Sequence, residues 1–167
     1  MYPSEAVPAY VGLGSNLENP CKQIQSARLA IKSITLLKEQ AFSSLYQSPP
    51  MGPPDQPDYV NAVMAITTEL PPIDLLRTLQ TIENNHGRIR LGKRWSARTL
   101  DLDILIYGDL VINTPELTIP HTGLTERPFV LHPLYEIAPQ LIIPGKGRLV
   151  DLLANCPLAE LKRLDYS

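Results

Sequence analysis

Asp101 and Asp103 stand two apart in Leu100-Asp101-Leu102-Asp103-Ile104-Leu105-Ile106-Tyr107, a stretch whose composition predicts a β-strand ending at Gly108. Residues two apart on a strand point to one face, with Cα atoms roughly 6.5 Å apart, so both carboxylates leave one surface while Leu100, Leu102 and Ile104 enter the core. Two neighbouring like charges are unfavourable without a cation, and hard oxygen donors of this kind suit Mg²⁺, which takes its other ligands from water and substrate phosphates. An amphipathic strand with a wet outer face is the ordinary explanation of an isolated D-x-D. The preceding segment, Gly87 to Arg98, shifts the balance: it carries five of the 15 basic residues, no acid, and Trp95 in its middle. Arginine forks fit phosphate oxygens, and a cationic segment, an aromatic wedge and a carboxylate pair are the parts that magnesium-dependent phosphoryl transfer requires.

Tyr59, Asn61, Trp95 and Phe129 are candidates for gripping a flat heterocycle. The chain has ten aromatic residues (one Trp, seven Tyr, two Phe), so core packing competes for each ring. Asn61 differs in kind, because its amide offers a donor and an acceptor to an amide-like ring edge. His121, after Pro120, is placed for a phosphate contact, whereas His86 reads as a helix C-terminal residue and His132 as a packed one. No histidine pair has metal-ligand spacing, and no Ser, His and Asp pattern points to a hydrolase triad.

The elements that must position these groups are legible in outline. Val7 to Leu13 predicts a strand, Gly12 to Asn16 a tight turn, and Ser15 with Glu18 a capping box for a helix carrying Ile24, Ala27, Leu29, Ile31 and Ile34. Leu36 to Gln47 and Tyr59 to Leu70 read as two strands joined by the proline patch Ser48 to Asp58. Pro71 and Pro72 open a helix bearing Leu75, Leu76, Leu79 and Ile82, which runs to about His86. After the Asp101 strand come short extended pieces at Val111-Ile112 and Leu117 to Ile119. A short helix over Arg127 to Glu136, interrupted by Pro133, a loop from Pro139 to Gly147, and a turn or two over Val150 to Ala154 complete the chain. Strand, helix, strand, strand, helix, strand predicts an α+β fold: a ferredoxin-like βαββαβ antiparallel sheet with helices on one face, plus C-terminal extensions.

The 167 residues predict a single domain, 1–167, with 44% hydrophobic and 19% charged residues and enough length for one sizeable core. Proline is abundant, 17 residues, roughly twice the usual share, and glycine slightly scarce at 9. Five prolines fall in Ser48 to Asp58, where they restrict the shapes of a loop directly before Tyr59 and Asn61. A net charge of −2 disfavours a general nucleic-acid or anionic-membrane binder. Cys21 and Cys156 form no CxxC, the N-terminus has no signal-peptide pattern, and no apolar run reaches the ~18 residues of a bilayer span, so a cytoplasmic protein is expected.

Three blocks together carry a resemblance. Ser48-Pro49-Pro50-Met51-Gly52-Pro53-Pro54-Asp55-Gln56-Pro57-Asp58-Tyr59-Val60-Asn61, Gly87-Arg88-Ile89-Arg90, and Arg94-Trp95-Ser96-Ala97-Arg98-Thr99-Leu100-Asp101-Leu102-Asp103-Ile104 resemble the 6-hydroxymethyl-7,8-dihydropterin pyrophosphokinase family of folate biosynthesis. Gly14 to Asn16 and Pro120-His121 fall at matching places, so the likeness runs from about Ala9 to Pro144. It implies a ferredoxin-like monomer that transfers the terminal two phosphates of ATP, as one unit, to the pterin hydroxymethyl group and releases AMP. It also implies two Mg²⁺ on Asp101 and Asp103. Asn61 would read the pterin edge, Tyr59, Trp95 and Phe129 would frame the ring, and Ser48, Pro49 and Met51 would add backbone and apolar contacts. Gln80, Glu83, Arg90, Ile104, Thr118, His121 and Arg127, with Trp95, fall where the family contacts ATP. Arg88 and Arg98 fall where its loop arginines reach the phosphates, beside the catalytic Asp101 and Asp103. Thr122, Glu116 and Leu91 depart from the family's pattern. An RNA-binding module, another magnesium-dependent transferase and a scaffold domain with merely solvated aspartates are the competing readings. The first lacks an RNP-like aromatic strand and a basic face, and the last leaves the three blocks unrelated.

Overall fold

The structure, a computed structural model, describes residues 6–16, 19–49, 58–86, 100–156 and 161–164. The elements run β1 (Val7–Ser15), α1 (Pro20–Lys32), β2 (Leu37–Phe42), β3 (Leu45–Ser48), β4 (Tyr59–Thr68), α2 (Pro72–Asn85) and β5 (Leu100–Tyr107). A hairpin of β6 (Ile112–Asn113) and β7 (Thr118–Ile119) follows, then α3 (Pro128–Ile137), a hairpin of β8 (Ile142–Ile143) and β9 (Gly147–Arg148), α4 (Leu149–Ala154) and β10 (Lys162–Leu164). Six strands form one sheet in the order β10-β3-β4-β1-β5, with β2 also pairing β4, and every pairing is antiparallel.

Strand periodicity divides this sheet into two faces. Ala9, Val11 and Leu13 of β1, Val60, Ala62, Met64 and Ile66 of β4, and Leu100, Leu102 and Ile104 of β5 pack in one core with Ile24, Ala27 and Ile31 of α1 and Leu75, Leu79 and Ile82 of α2. The other face carries Val63, Leu105 and Ile106, which pack with Val130, Leu131 and Leu134 of α3. Helices therefore cover both faces, where one was expected. The α3 surface is apolar enough to bury Val130, Leu131, Pro133 and Leu134 together, and the helix runs through Pro133 instead of stopping there.

Four local expectations change. β1 continues to Ser15, so Gly12 and Gly14 lie inside the strand and not in a turn. Ser15 is accordingly buried strand, and α1 begins at Pro20 behind Asn19, whose φ of 57° sits in the left-handed region that asparagine tolerates; Glu18 lies outside the described residues. Leu29 is 64% exposed, because Ile24, Ala27 and Ile31 define the buried stripe and Leu29 falls off it. The expected Leu36 to Gln47 strand is two strands, broken where Ser43 takes over the pairing: its N–H donates to the Val63 carbonyl at 2.9 Å and its hydroxyl accepts the Val63 N–H at 2.9 Å. β10 and the β8–β9 hairpin were not foreseen. Gly145 turns the hairpin at φ 72°, while Gly108 ends β5 at φ 53° as expected.

Candidate active site

β5 is an edge strand of the sheet, and Asp101 and Asp103 project from it on the α3 face, both half-buried. Their partners across the ladder on β1 are Gly14 and Gly12. Glycine inside a strand marks a close approach, and here it removes the side chains that would stand beside the carboxylates. On the far side of β1, Gly14 pairs with Asn61 of β4, and Asn61 with Tyr46 of β3. Asn61, Gly14 and Asp101 thus share one rung across three strands, which sets the Asn61 and Asp101 backbones about 10 Å apart.

The pairing of β1 with β5 slips between Tyr10 and Val11, whose partners are Ile106 and Ile104, so Leu105 is the extra residue of a bulge. The bulge turns Leu105 and Ile106 to the same face. It also leaves the Leu105 carbonyl to accept the His121 N–H at 3.0 Å, which anchors His121 beside the aspartates. The Gly123 N–H donates to His121 Nδ1 at 3.2 Å, so a neutral imidazole carries its proton on Nε2, the atom 4.0 Å from Asp103 Oδ1. That separation is proximity, not a hydrogen bond.

A cavity of about 190 Å³ lies over this face. Its wall includes Ser48, Pro49, Tyr59, Asn61, Asp101, Asp103, His121, Arg127 and Phe129, nine side chains expected from the sequence to form one site. Typical ligand clefts run from about 300 Å³ upward, so this one suits a single small ring system. Asn61 is 7% exposed and its Nδ2 donates to Ser48 Oγ at 3.2 Å, which fixes the amide against the wall. The Arg127 guanidinium lies 5.8 Å from the Phe129 ring centre, a cation-π distance at the cavity rim.

Four expected nucleotide contacts fall elsewhere. Ile104 is buried in the core beneath α1 and α2, Gln80 is exposed on α2, and Thr118 is half-buried on β7. Glu83 is buried, and its Oε2 accepts the N–H of Leu102, the residue between the two aspartates, at 2.7 Å. Met51, Arg88, Arg90, Trp95 and Arg98, with most of the proline patch and the basic segment, lie outside the described residues. Gly12, Gly14, Ala62, Leu105 and Val130 also line the cavity and were missed as site residues. The two glycines stand in a GxG at the end of an apolar run, a pattern read above as a tight turn.

Fold and site together define an α+β protein with a small, largely apolar cavity that joins a carboxylate pair to a buried amide. The model of the 7,8-dihydro-6-hydroxymethylpterin-pyrophosphokinase family matches residues 10–139. A curated relative from Haemophilus influenzae, a 2-amino-4-hydroxy-6-hydroxymethyldihydropteridine pyrophosphokinase, is 50% identical over 147 residues, covering 88% of this chain and 91% of the relative. A relative of the same name from Pseudomonas aeruginosa is 48% identical over 155 residues, covering 93% and 95%. The chain belongs to this pyrophosphokinase family. Among solved structures, Plasmodium falciparum HPPK-DHPS, wild type, with pteroate superposes with a TM-score of 0.72 over 90% of this chain. At 15% identity that likeness speaks for the fold alone, and this chain spans 42% of the longer protein.

Proposed function

We propose that this protein transfers the terminal diphosphate of ATP to the hydroxymethyl group of 6-hydroxymethyl-7,8-dihydropterin, releasing AMP. The observation that carries this reading is the shared rung: an amide suited to a heterocycle edge at one end, Asp101 of the carboxylate pair at the other, and only Gly14 between them. The pterin would lie over that gap, its amide-like edge on Asn61 and its ring against Tyr59 and Phe129, with the hydroxymethyl group directed toward Asp101 and Asp103. The hydroxymethyl oxygen forms a bond to the β-phosphorus, the bond from that phosphorus to the oxygen bridging the α- and β-phosphates breaks, and AMP departs with that oxygen. The hydroxyl proton passes to a carboxylate of the pair.

Asp101 and Asp103 are the residues to hold Mg²⁺. Among the described residues no group of three or more His, Cys, Asp or Glu could hold a metal ion, and a two-carboxylate set fits a cation that completes its shell with water and phosphate oxygens. When bound, the ions lower the pKa of the attacking hydroxyl and neutralise phosphate charge. His121, beside the aspartates, supplies a hydrogen-bond donor, and Arg127, on the same cavity lining, supplies positive charge. Arg88 and Arg98 are proposed to reach the phosphates, as the family resemblance implies. The order β3-β4-β1-β5, with α1 and α2 on one face, supports a ferredoxin-like core within a single catalytic domain. Among the described residues no helix is long and apolar enough to cross a membrane. Cys21 and Cys156 are both free, which fits a reducing compartment.

The test is the nucleotide product. Incubation with ATP, Mg²⁺ and the hydroxymethyl-dihydropterin is expected to yield AMP and the pterin diphosphate in equal amounts. ADP in place of AMP would make the protein an ordinary kinase, and no turnover by a folded sample would sink the enzyme reading.

A further inference from the structure

The sequence has glycine at 14, and its backbone does not require one. Gly108, Gly145 and Gly147 have positive φ, and Gly14 does not, so an L side chain is conformationally allowed in this stretch of β1. Space is the constraint. A Cβ at position 14 would stand 2.7 Å from Asn61 Oδ1, a separation that carbon and oxygen do not share without movement, whereas the next nearest atoms are Asn61 Cγ at 3.8 Å and the Val60 carbonyl oxygen at 4.0 Å. The collision is therefore with the amide oxygen and with nothing else. The amide has little room to yield in place: Asn61 is 7% exposed, and its Nδ2 is held by Ser48 Oγ.

We propose that Gly14 is a specificity-determining position that acts through Asn61: its missing side chain is the space in which the Asn61 amide lies, and filling it rotates that amide away from the heterocycle edge. Gly14 lines the cavity floor, and it is a positioning residue because the protein atom that a Cβ there would strike is Asn61 Oδ1. The proposal rests on the reading of Asn61 as the group that meets the pterin.

Three variants decide it: Gly14→Ala, Asn61→Ala and the double variant, each assayed for KM of the pterin, KM of ATP, and Tm. Asn61→Ala is expected to raise the pterin KM about tenfold, the loss of one or two hydrogen bonds in a desolvated site. Gly14→Ala should raise it by a similar factor and leave the ATP KM within about twofold. In the Asn61→Ala background, Gly14→Ala should change the pterin KM by less than about twofold, because a residue acting only through the amide has nothing left to move. If Gly14→Ala alone fails to fold, stability still tests the point: the double variant lacks the amide oxygen and should fold and melt no lower than Asn61→Ala. An unchanged pterin KM in Asn61→Ala overturns the underlying reading and the proposal with it. A raised KM in Asn61→Ala beside an unchanged one in Gly14→Ala overturns the role of Gly14 alone. An equal loss from Gly14→Ala in both backgrounds, or a double variant that melts below Asn61→Ala, overturns the route through the amide.

Discussion

Asp101→Asn and Asp103→Asn should each lower turnover by about a hundredfold to a thousandfold, the scale on which removing one preorganised charge-stabilising group acts on a transition state. The substitutions keep the shape of the side chains but remove a charge and turn one accepting oxygen into a donor, so cation binding and proton acceptance are both weakened at the substituted residue. Stability should move the other way. The two carboxylates leave the same face of β5 two residues apart, and removing one charge relieves their repulsion, so Tm should hold or rise slightly. The nearby His121 does not reverse that sign, since its Nε2 lies 4.0 Å from an Asp103 side chain that is 46% exposed, and such pairs contribute little. Glu83 accepts the Leu102 N–H between the two aspartates, a contact that neither substitution alters. Steady-state rates across a Mg²⁺ titration, paired with thermal melts, measure both effects. Wild-type rates at saturating Mg²⁺ would remove the metal role from this pair, and a loss of rate accompanied by a large fall in Tm would reassign the aspartates to folding.

The aspartate strand was legible because its signal is local. Alternation in Leu100 to Ile104 fixes which side chains face α1 and α2, and Gly108 ends the strand at a positive φ. The types of the site residues were legible too, since an amide, aromatic rings and carboxylates each announce a chemistry. What brings them together is register, which one strand does not carry in its own sequence. The pairing of Asn61 with Gly14, and of Gly14 with Asp101, depends on three strands separated by two helices. The bulge at Leu105 is equally silent, because Leu105-Ile106 reads as unbroken strand while the ladder shifts by one residue. The division of β2 from β3 rests on a serine hydroxyl that bonds Val63, twenty positions away. β10 has three residues, Lys162 to Leu164, and no periodicity of its own; it exists through its pairing with β3.

That C-terminal strand belongs to a polar cluster where the second large effect is expected. Glu136 of α3 accepts from the Tyr46 hydroxyl at 2.7 Å, the Ser44 hydroxyl at 2.8 Å and the Ser44 N–H at 3.0 Å, and Arg163 of β10 lies 3.6 Å away. One carboxylate thereby ties α3 to the β2–β3 junction and to the edge strand. Burial pushes its pKa up, but the hydroxyls of Tyr46 and Ser44, the Ser44 N–H and the Arg163 charge together outweigh burial and hold it below the usual 4.5. The same contact, with burial the larger cause, raises the Tyr46 phenol well above 10.0. A depressed carboxylate pKa stabilises the fold at pH values above the unfolded one, and the contribution is lost as pH falls through the folded value. Glu136→Gln replaces one accepting oxygen by an amide donor, which neither the Ser44 N–H nor Arg163 can accept, and leaves Arg163 without its partner charge, so at pH 7 it should cost about 1–3 kcal/mol. Below pH 4.5 the wild-type carboxylate protonates, and the gap between the two proteins should narrow. Glu39, whose pKa the Arg28 hydrogen bond also lowers, adds its own acid sensitivity equally to both proteins and cancels in the comparison. Urea unfolding of the pair between pH 7 and pH 3 reads the difference directly. A constant gap over that range would show that Glu136 acts through packing and not through its charge.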